Sequence, residues 1–353
     1  MSGRLKLRRG LVVDEEPLTV EIDGERRAAW ADELLLGEMR KGDEVVVNAA
    51  ALDLGLGSGG FDVIHVNLTR GLDASGEGHE HVMKLNYTSL QHPIPPLELP
   101  VRLMDPTGTK GAPEASRRSM PVLVLPLHGH LAPAAWAAVQ AKPGLKVGYV
   151  QTGGGALPGS FSRDVARLRE CDLLFGHITA APSYGGENEA LSVAGALDAA
   201  ANGLGWDVAI VGPGPGIIGS ETRLGHGGMA ALDSAHAALA LGLPTLLSPR
   251  LSEADPRERH QNVSHHTLTV LELLLGGVGL PVPADNPEVA AQLAGAAGDR
   301  HQLHKAKPDL AGYAATGLPS KVMGRGIADD QLFFAAPLAA GQVLGASAVG
   351  GAG

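Results

Sequence analysis

The residues able to do chemistry in this 353-residue chain are histidines, arginines and glycines in short stretches that each follow an apolar run. HGH carries His128 and His130, GHITAAPSYGGEN carries His177, Glu187 and Asn188, and PRLSEADPRERHQNVSHHT carries Arg250, Asp255, Arg257, Arg259, His260, Ser264, His265 and His266. Imidazole titrates close to neutral pH, so it can pass protons or, when neutral, ligate a metal. His128, His177 and His265 are the acid–base candidates, with Asp255 or Glu187 as carboxylate partner. An extended HGH would turn His128 and His130 to one side and offer them to a divalent metal. His79 and His81 form a second such pair, whereas the neighbours His265 and His266 are not expected to face one point from a regular helix. The competing use of all these histidines is hydrogen bonding and helix capping. Arg250, Arg257 and Arg259 beside His260 can grip a carboxylate or phosphate, or else pair with Glu253, Asp255 and Glu258 on the surface.

A second group is glycine. In GPGPGIIGSETRLGHGG, Gly214, Gly216 and Gly219 match the dinucleotide fingerprint G-x-G-x-x-G. Pro213 and Pro215 interrupt the turn, the preceding strand is the fourth of its series, and no acidic residue stands about 20 positions on. A phosphate loop is excluded, because no Gly-Lys-Ser/Thr follows. Two readings stay open. The loop, with Gly153 and Gly154 of TGGG and a helix starting near Ser220 or Thr222, exposes backbone N–H groups to an anion. Alternatively it only returns the chain to the sheet. No G-x-S-x-G elbow exists, and Ser264 is expected to cap the helix HTLTVLELLLG.

Behind these stretches stand the elements that must position them. LVVDEEPLTVEIDGERRAAW, KGDEVVVNAAALDLGLGSGGFDVIHVNL and HVMKLNYTSL alternate with period two and predict a small all-β domain, a barrel or sandwich, over 1–118. From VLVLPL onward, five apolar runs alternate with helix-like segments. This predicts a Rossmann-like, mostly parallel sheet with helices on both faces over 119–285. Residues 286–353 are expected to form a helical and loop-rich extension. Ligands of such sheets sit beyond the carboxyl ends of the strands, where the histidine, arginine and glycine stretches fall.

Composition sets limits. A net charge of −10 without a long basic run disfavours a nucleic-acid or anionic membrane surface. The single Cys171, expected to be a small buried side chain, excludes an internal disulfide and a cysteine zinc cluster. No apolar run reaches a membrane span, and a cytoplasmic protein is expected. The apolar QLFFAAPLAAGQVLG is too greasy for a free surface and suggests a homo-oligomer.

Taken together, VGPGPGIIGSETRLGHGG, ADPRERHQNVSHHT, GHITAAPSYGGENEA and VVVNAAALDLGLGSGGFDVIHVNL resemble a bacterial family known as domain of unknown function 3866, from Lys6 to about residue 340. The resemblance implies a cytoplasmic bacterial protein and supplies no activity or catalytic residue. The expected function therefore rests on the residues: binding of a small anionic, nucleotide- or phosphate-like ligand at the strand ends. The alternative is a hydrolase or transferase using histidine acid–base chemistry. The cofactor is unknown, with a divalent metal allowed.

Overall fold

The computed structural model describes residues 4–56, 59–72, 82–98 and 119–348. The chain divides into two compact units, Met1–Pro93 and Ile94–Gly353. The domain boundary expected near residue 118 lies outside the described residues, as do His79 and His81.

In the first unit, β1 (Leu7–Glu15), β2 (Leu18–Ile22), β3 (Glu25–Trp30), β4 (Glu44–Asn48) and β5 (Asp62–Asn67) close a barrel in the order β1-β2-β3-β5-β4. Alternating residues point inward, so Val12, Val20, Ile22, Val45, Val47 and Ile64 fill it. Closure leaves no free strand edge, which is how so small a sheet stands without a partner sheet. A two-stranded ribbon follows, β6 (Val82–Lys84) and β7 (His92–Ile94).

The second unit is built on an eight-stranded parallel sheet. Its strands are β8 (Val122–Val124), β9 (Val147–Thr152), β10 (Gly176–Ala180), β11 (Asn188–Ala190), β12 (Val208–Pro213), β13 (Thr245–Leu247), β16 (Gly279–Pro283) and β17 (Gln302–Ala306). Between them β14 (Leu251–Ser252) and β15 (Asn262–Val263) form a small antiparallel ladder, and β18 (Lys321–Val322) pairs with β19 (Arg325–Gly326). The sheet runs β11-β10-β9-β12-β8-β13-β16-β17. Five of these strands are the expected runs; β11, β16 and β17 are additional.

The inner strands are apolar on both sides, as a sheet covered on both faces requires. Val122 and Val124 face one core with the helices Val193–Asn202, Ala230–Ala240, His265–Leu273 and Pro287–Ala297. Leu123 faces the other, with the helices Leu131–Ala141 and Arg163–Glu170 and most of Gln331–Ser347.

The last segment is more than an extension, since β17 is a sheet strand and the Gln331–Ser347 helix lies along Leu131–Ala141. Gly341 and Gly345 let the two backbones touch, because a Cβ at either would run into the carbonyl oxygen of Ala134 or Ala138. The apolar QLFFAAPLAAGQVLG is thus buried in its own chain, and the inference of an oligomer from it loses its ground. Cys171 is half-buried rather than buried. No helix among the described residues is long and apolar enough to cross a membrane.

Candidate functional site

The sheet order sets β8 between β12 and β13, and all three end at the same edge because they are parallel. Neighbouring strands here send their chains to opposite faces, which opens a crevice at the carboxyl ends. After β12 the chain makes a small lobe. A bridge between Gly219 and His226 closes it, Ser220 N–H donates to the Gly225 carbonyl at 2.7 Å, and His226 emerges beside the 3₁₀ turn Gly227–Met229. The helix expected from Ser220 or Thr222 starts instead at Ala230. Thr222 is exposed and spends its hydroxyl on the lobe, accepting from Gly225 N–H at 3.1 Å.

After β13 the β14–β15 ladder pinches the loop, and Ser264 N–H donates to the Arg250 carbonyl at 3.0 Å. Ser264 then caps the following helix, its Oγ accepting from His266 N–H at 3.2 Å. A cap fixes the first turn, and His265 and His266 occupy that turn.

Four imidazoles meet there. His226 and His266 stack with ring centroids 3.6 Å apart and planes 6° from parallel. His265 lies 4.4 Å from His266 and 5.6 Å from His226, and His260 lies 4.8 Å from His266. Contrary to expectation, His265 and His266 do face one point, since one ring nitrogen of each and one of His226 lie within 4.8 Å of one another. The expectation assumed a regular helix interior; rings in a capped first turn face the open helix end. His260 Nδ1 is 2.7 Å from Ser264 Oγ. Burial, then His226 and Arg250, hold the His266 imidazole down to about 2. Burial, then Arg250 and Arg257, hold His260 down to about 3. His226 and His265 are also depressed, chiefly by burial, so the group is uncharged at neutral pH.

Arginines flank the histidines. Arg250 is 3% exposed and places Nη1 3.2 Å from His266 Nδ1 and Nη2 3.4 Å from Asp255. Arg257 grips Asp255 with Nε at 2.9 Å and Nη2 at 2.8 Å, and Arg325 comes within 3.6 Å of it. Burial pushes the Asp255 carboxyl up, but the side-chain and backbone hydrogen bonds of Arg257 outweigh it and hold Asp255 far below the usual carboxylate range. Asp255 is therefore held as an anion that orients arginines. Burial, then repulsion from Arg257, brings Arg250 down to about 10. Arg259 pairs with Glu221 at 3.3 Å.

The other expected residues lie elsewhere around the strand ends. HGH is a 3₁₀ turn and not extended, so its histidines part. His128 turns to the β12 end, Nδ1 3.2 Å from the Pro213 carbonyl and Nε2 2.7 Å from Ser162 Oγ. His130 turns to the β13 end, 3.0 Å from Ser248 Oγ. Both ring nitrogens of His128 are engaged, and the pairing of His128 with His130 on a metal is corrected. His177 stacks on Tyr149 at 5.4 Å, and its backbone N–H donates to Glu187, which also pairs with Arg169. Asn188 is the first residue of β11, in register with Ile178.

The glycines bring the β9 and β12 loops together. A Cβ on Gly214 would strike the Ala156 carbonyl, and one on Gly154 would lie 2.5 Å from the Gly227 carbonyl oxygen. A Cβ on Gly153 would sit tightly, 3.2 Å from Pro182 Cγ and Cδ. Gly216 is exposed with φ +74°, and Gly219 faces the Cβ of His226.

Sequence reasoning gave His226 no role in the site, although it stands inside the glycine-rich stretch, and it missed Arg325. The first was legible as a histidine between glycines. The second had no local sign, because the fold alone returns it to Asp255.

The family model described as "Protein of unknown function (DUF3866)" matches residues 28–341 of the chain. The chain belongs to that family. The match starts within β3 and takes in the whole sheet and the histidine and arginine loops. No curated protein and no solved structure matches the chain.

Proposed function

We propose that this family member binds a small anionic molecule at the carboxyl ends of β12 and β13, held by Arg250 and Arg259 beside the neutral histidines. The observation that carries the reading is a pair of unmet guanidinium donors beside one buried carboxylate. Three guanidinium groups, Arg250, Arg257 and Arg325, converge on the single carboxylate Asp255, and Arg325 is shared with Asp330 at 3.3 Å. Arg250 Nε and Arg259 Nε are buried donors without a hydrogen-bond partner among the described residues. An unmet buried donor costs about 1–3 kcal/mol, and an anion placed between them meets both donors. Arginine forks suit carboxylate and phosphate oxygens, so phosphate esters and small carboxylates are the ligand classes.

Chelator-treated protein is to be titrated with inorganic phosphate, a nucleoside monophosphate and citrate, reading the melting temperature. A ligand bound only by the folded state raises it, by about 2.7 kcal/mol of stabilisation at a hundredfold excess over Kd. Arg259→Ala and Arg250→Lys should each reduce the shift, the second because lysine keeps the charge but loses the fork. If none of the three anions moves the transition of the wild type, the reading is wrong.

A further inference from the structure

We propose that His226, His265 and His266 form a three-imidazole binding site for one divalent transition-metal ion, of which zinc is the type. One ring nitrogen from each already lies within 4.8 Å of the others. A tetrahedral zinc at about 2.0–2.1 Å from each nitrogen needs them about 3.3–3.4 Å apart, so the His226 and His266 rings, stacked at 3.6 Å, must swing out of their parallel arrangement to bring both lone pairs onto one ion. His226 Nδ1 and His265 Nε2 are buried and have no hydrogen-bond partner among the described residues. Buried polar atoms are rarely left so, and two in one cluster point to a shared ligand.

The tautomers agree with this. His226 Nε2 lies 3.0 Å from the Arg223 carbonyl, so it carries the proton and leaves the lone pair on Nδ1. A ligating histidine is held in this way, its far nitrogen donating to a carbonyl. Gly228 borders the cluster, since a Cβ there would lie 3.0 Å from His226 Nδ1 and 3.2 Å from His266 Nδ1.

The donor set selects the metal. Three imidazoles suit zinc, nickel or copper, and magnesium and calcium prefer oxygen. Three protein ligands leave a coordination position open. Arg250, 3.2 Å from His266, disfavours a bare dication, so the ion is held together with an anion such as hydroxide or a carboxylate in that position. His260, 5.0 Å from His265, stands beside the site without being required as a ligand.

The test uses the full chain, stripped with chelator and dialysed against zinc, cobalt(II) or magnesium in a buffer free of phosphate. Elemental analysis should find one zinc per chain, no magnesium, and visible cobalt bands of four- or five-coordinate geometry. His226→Ala and His265→Ala should each weaken zinc binding by more than about 100-fold, beyond the roughly 10–100-fold that loss of an outer partner costs. His65→Ala, in the barrel, should bind as the wild type does. Should His226→Ala fail to fold by circular dichroism, His265→Gln at a half-buried position decides the matter. Less than one zinc per wild-type chain, or full binding by either folded variant, overturns the site. Phosphate binding to the stripped protein is measured separately, so zinc without phosphate refutes only the anion reading, and phosphate without zinc refutes only the metal site.

Discussion

Asp255 is where single-residue chemistry decides the architecture of the site. Its carboxylate is fully buried and takes hydrogen bonds from the Arg257 backbone at 3.0 Å and from the Arg257 side chain, with Arg250 and Arg325 close by. Removing one partner of a buried pair strands the other, at a cost of about 3–5 kcal/mol. Asp255→Ala should lose that much by urea unfolding, since Arg250 is left buried against neutral histidines. Arg257→Ala should lose about 1 kcal/mol or less, because its side chain is 42% exposed and water replaces the pair. Equal losses in the two variants would show that Asp255 does not organise the cluster. The arginine and histidine types were legible here, because PRERHQNVSHHT packs them into one stretch. Their protonation was not, since nothing in the stretch shows that three guanidinium groups gather on Asp255 and keep it ionised.

At the scale of elements, the glycine-rich loops show what a linear motif conceals. Gly214 looks like part of a phosphate cradle, yet the space a Cβ would need there, and at Gly227, is filled by the carbonyls of Ala156 and Gly154. Two loops far apart in sequence are packed backbone to backbone, and sequence does not display what opposes a glycine. Gly214→Ala and Gly227→Ala should therefore each destabilise by about 1–3 kcal/mol or more through overpacking, read as a lowered melting temperature. Gly216→Ala meets open space and should cost only the roughly 1–2 kcal/mol of a left-handed residue.

The missed strands have equally local reasons. β16 contains Pro281 and Pro283, which argue against an inner strand. Yet Gly279 is its last residue in register with β13, and Ala284 N–H on the alternate side bonds the Ala306 carbonyl. The proline nitrogens thus face the side where the ladder has already ended. β17 is a half-exposed edge strand with no apolar run to announce it. By contrast the barrel strands and the five central strands were legible, because period-two alternation and doubly buried apolar runs are direct imprints of one-sided and two-sided burial.

For the molecule as a whole, histidine burial sets the response to acid. His130 is held down to about 3, by burial first and then by Arg250, and His177 to about 3, by burial and then by His128. Both pack inside the second unit, His130 against Phe333 of the last helix and His177 against Tyr149 of β9. In the unfolded chain each titrates near 6.5, so between that pH and 3 the unfolded state binds more protons. Stability from these groups is fully present above pH 6.5 and is lost as the pH falls toward 3. At pH 5 the loss is about 2 kcal/mol for each histidine, a large share of the roughly 5–15 kcal/mol that holds a domain. The melting temperature should therefore fall steadily from pH 7 to pH 5, where carboxylates with ordinary pKa values have scarcely begun to protonate. His177→Phe keeps a flat ring on Tyr149 and takes up no proton, so it should flatten that slope by about half of what the pair contributes. A melting temperature constant from pH 7 to pH 5, or a slope unchanged in His177→Phe, would mean that these imidazoles take up protons without opening the core.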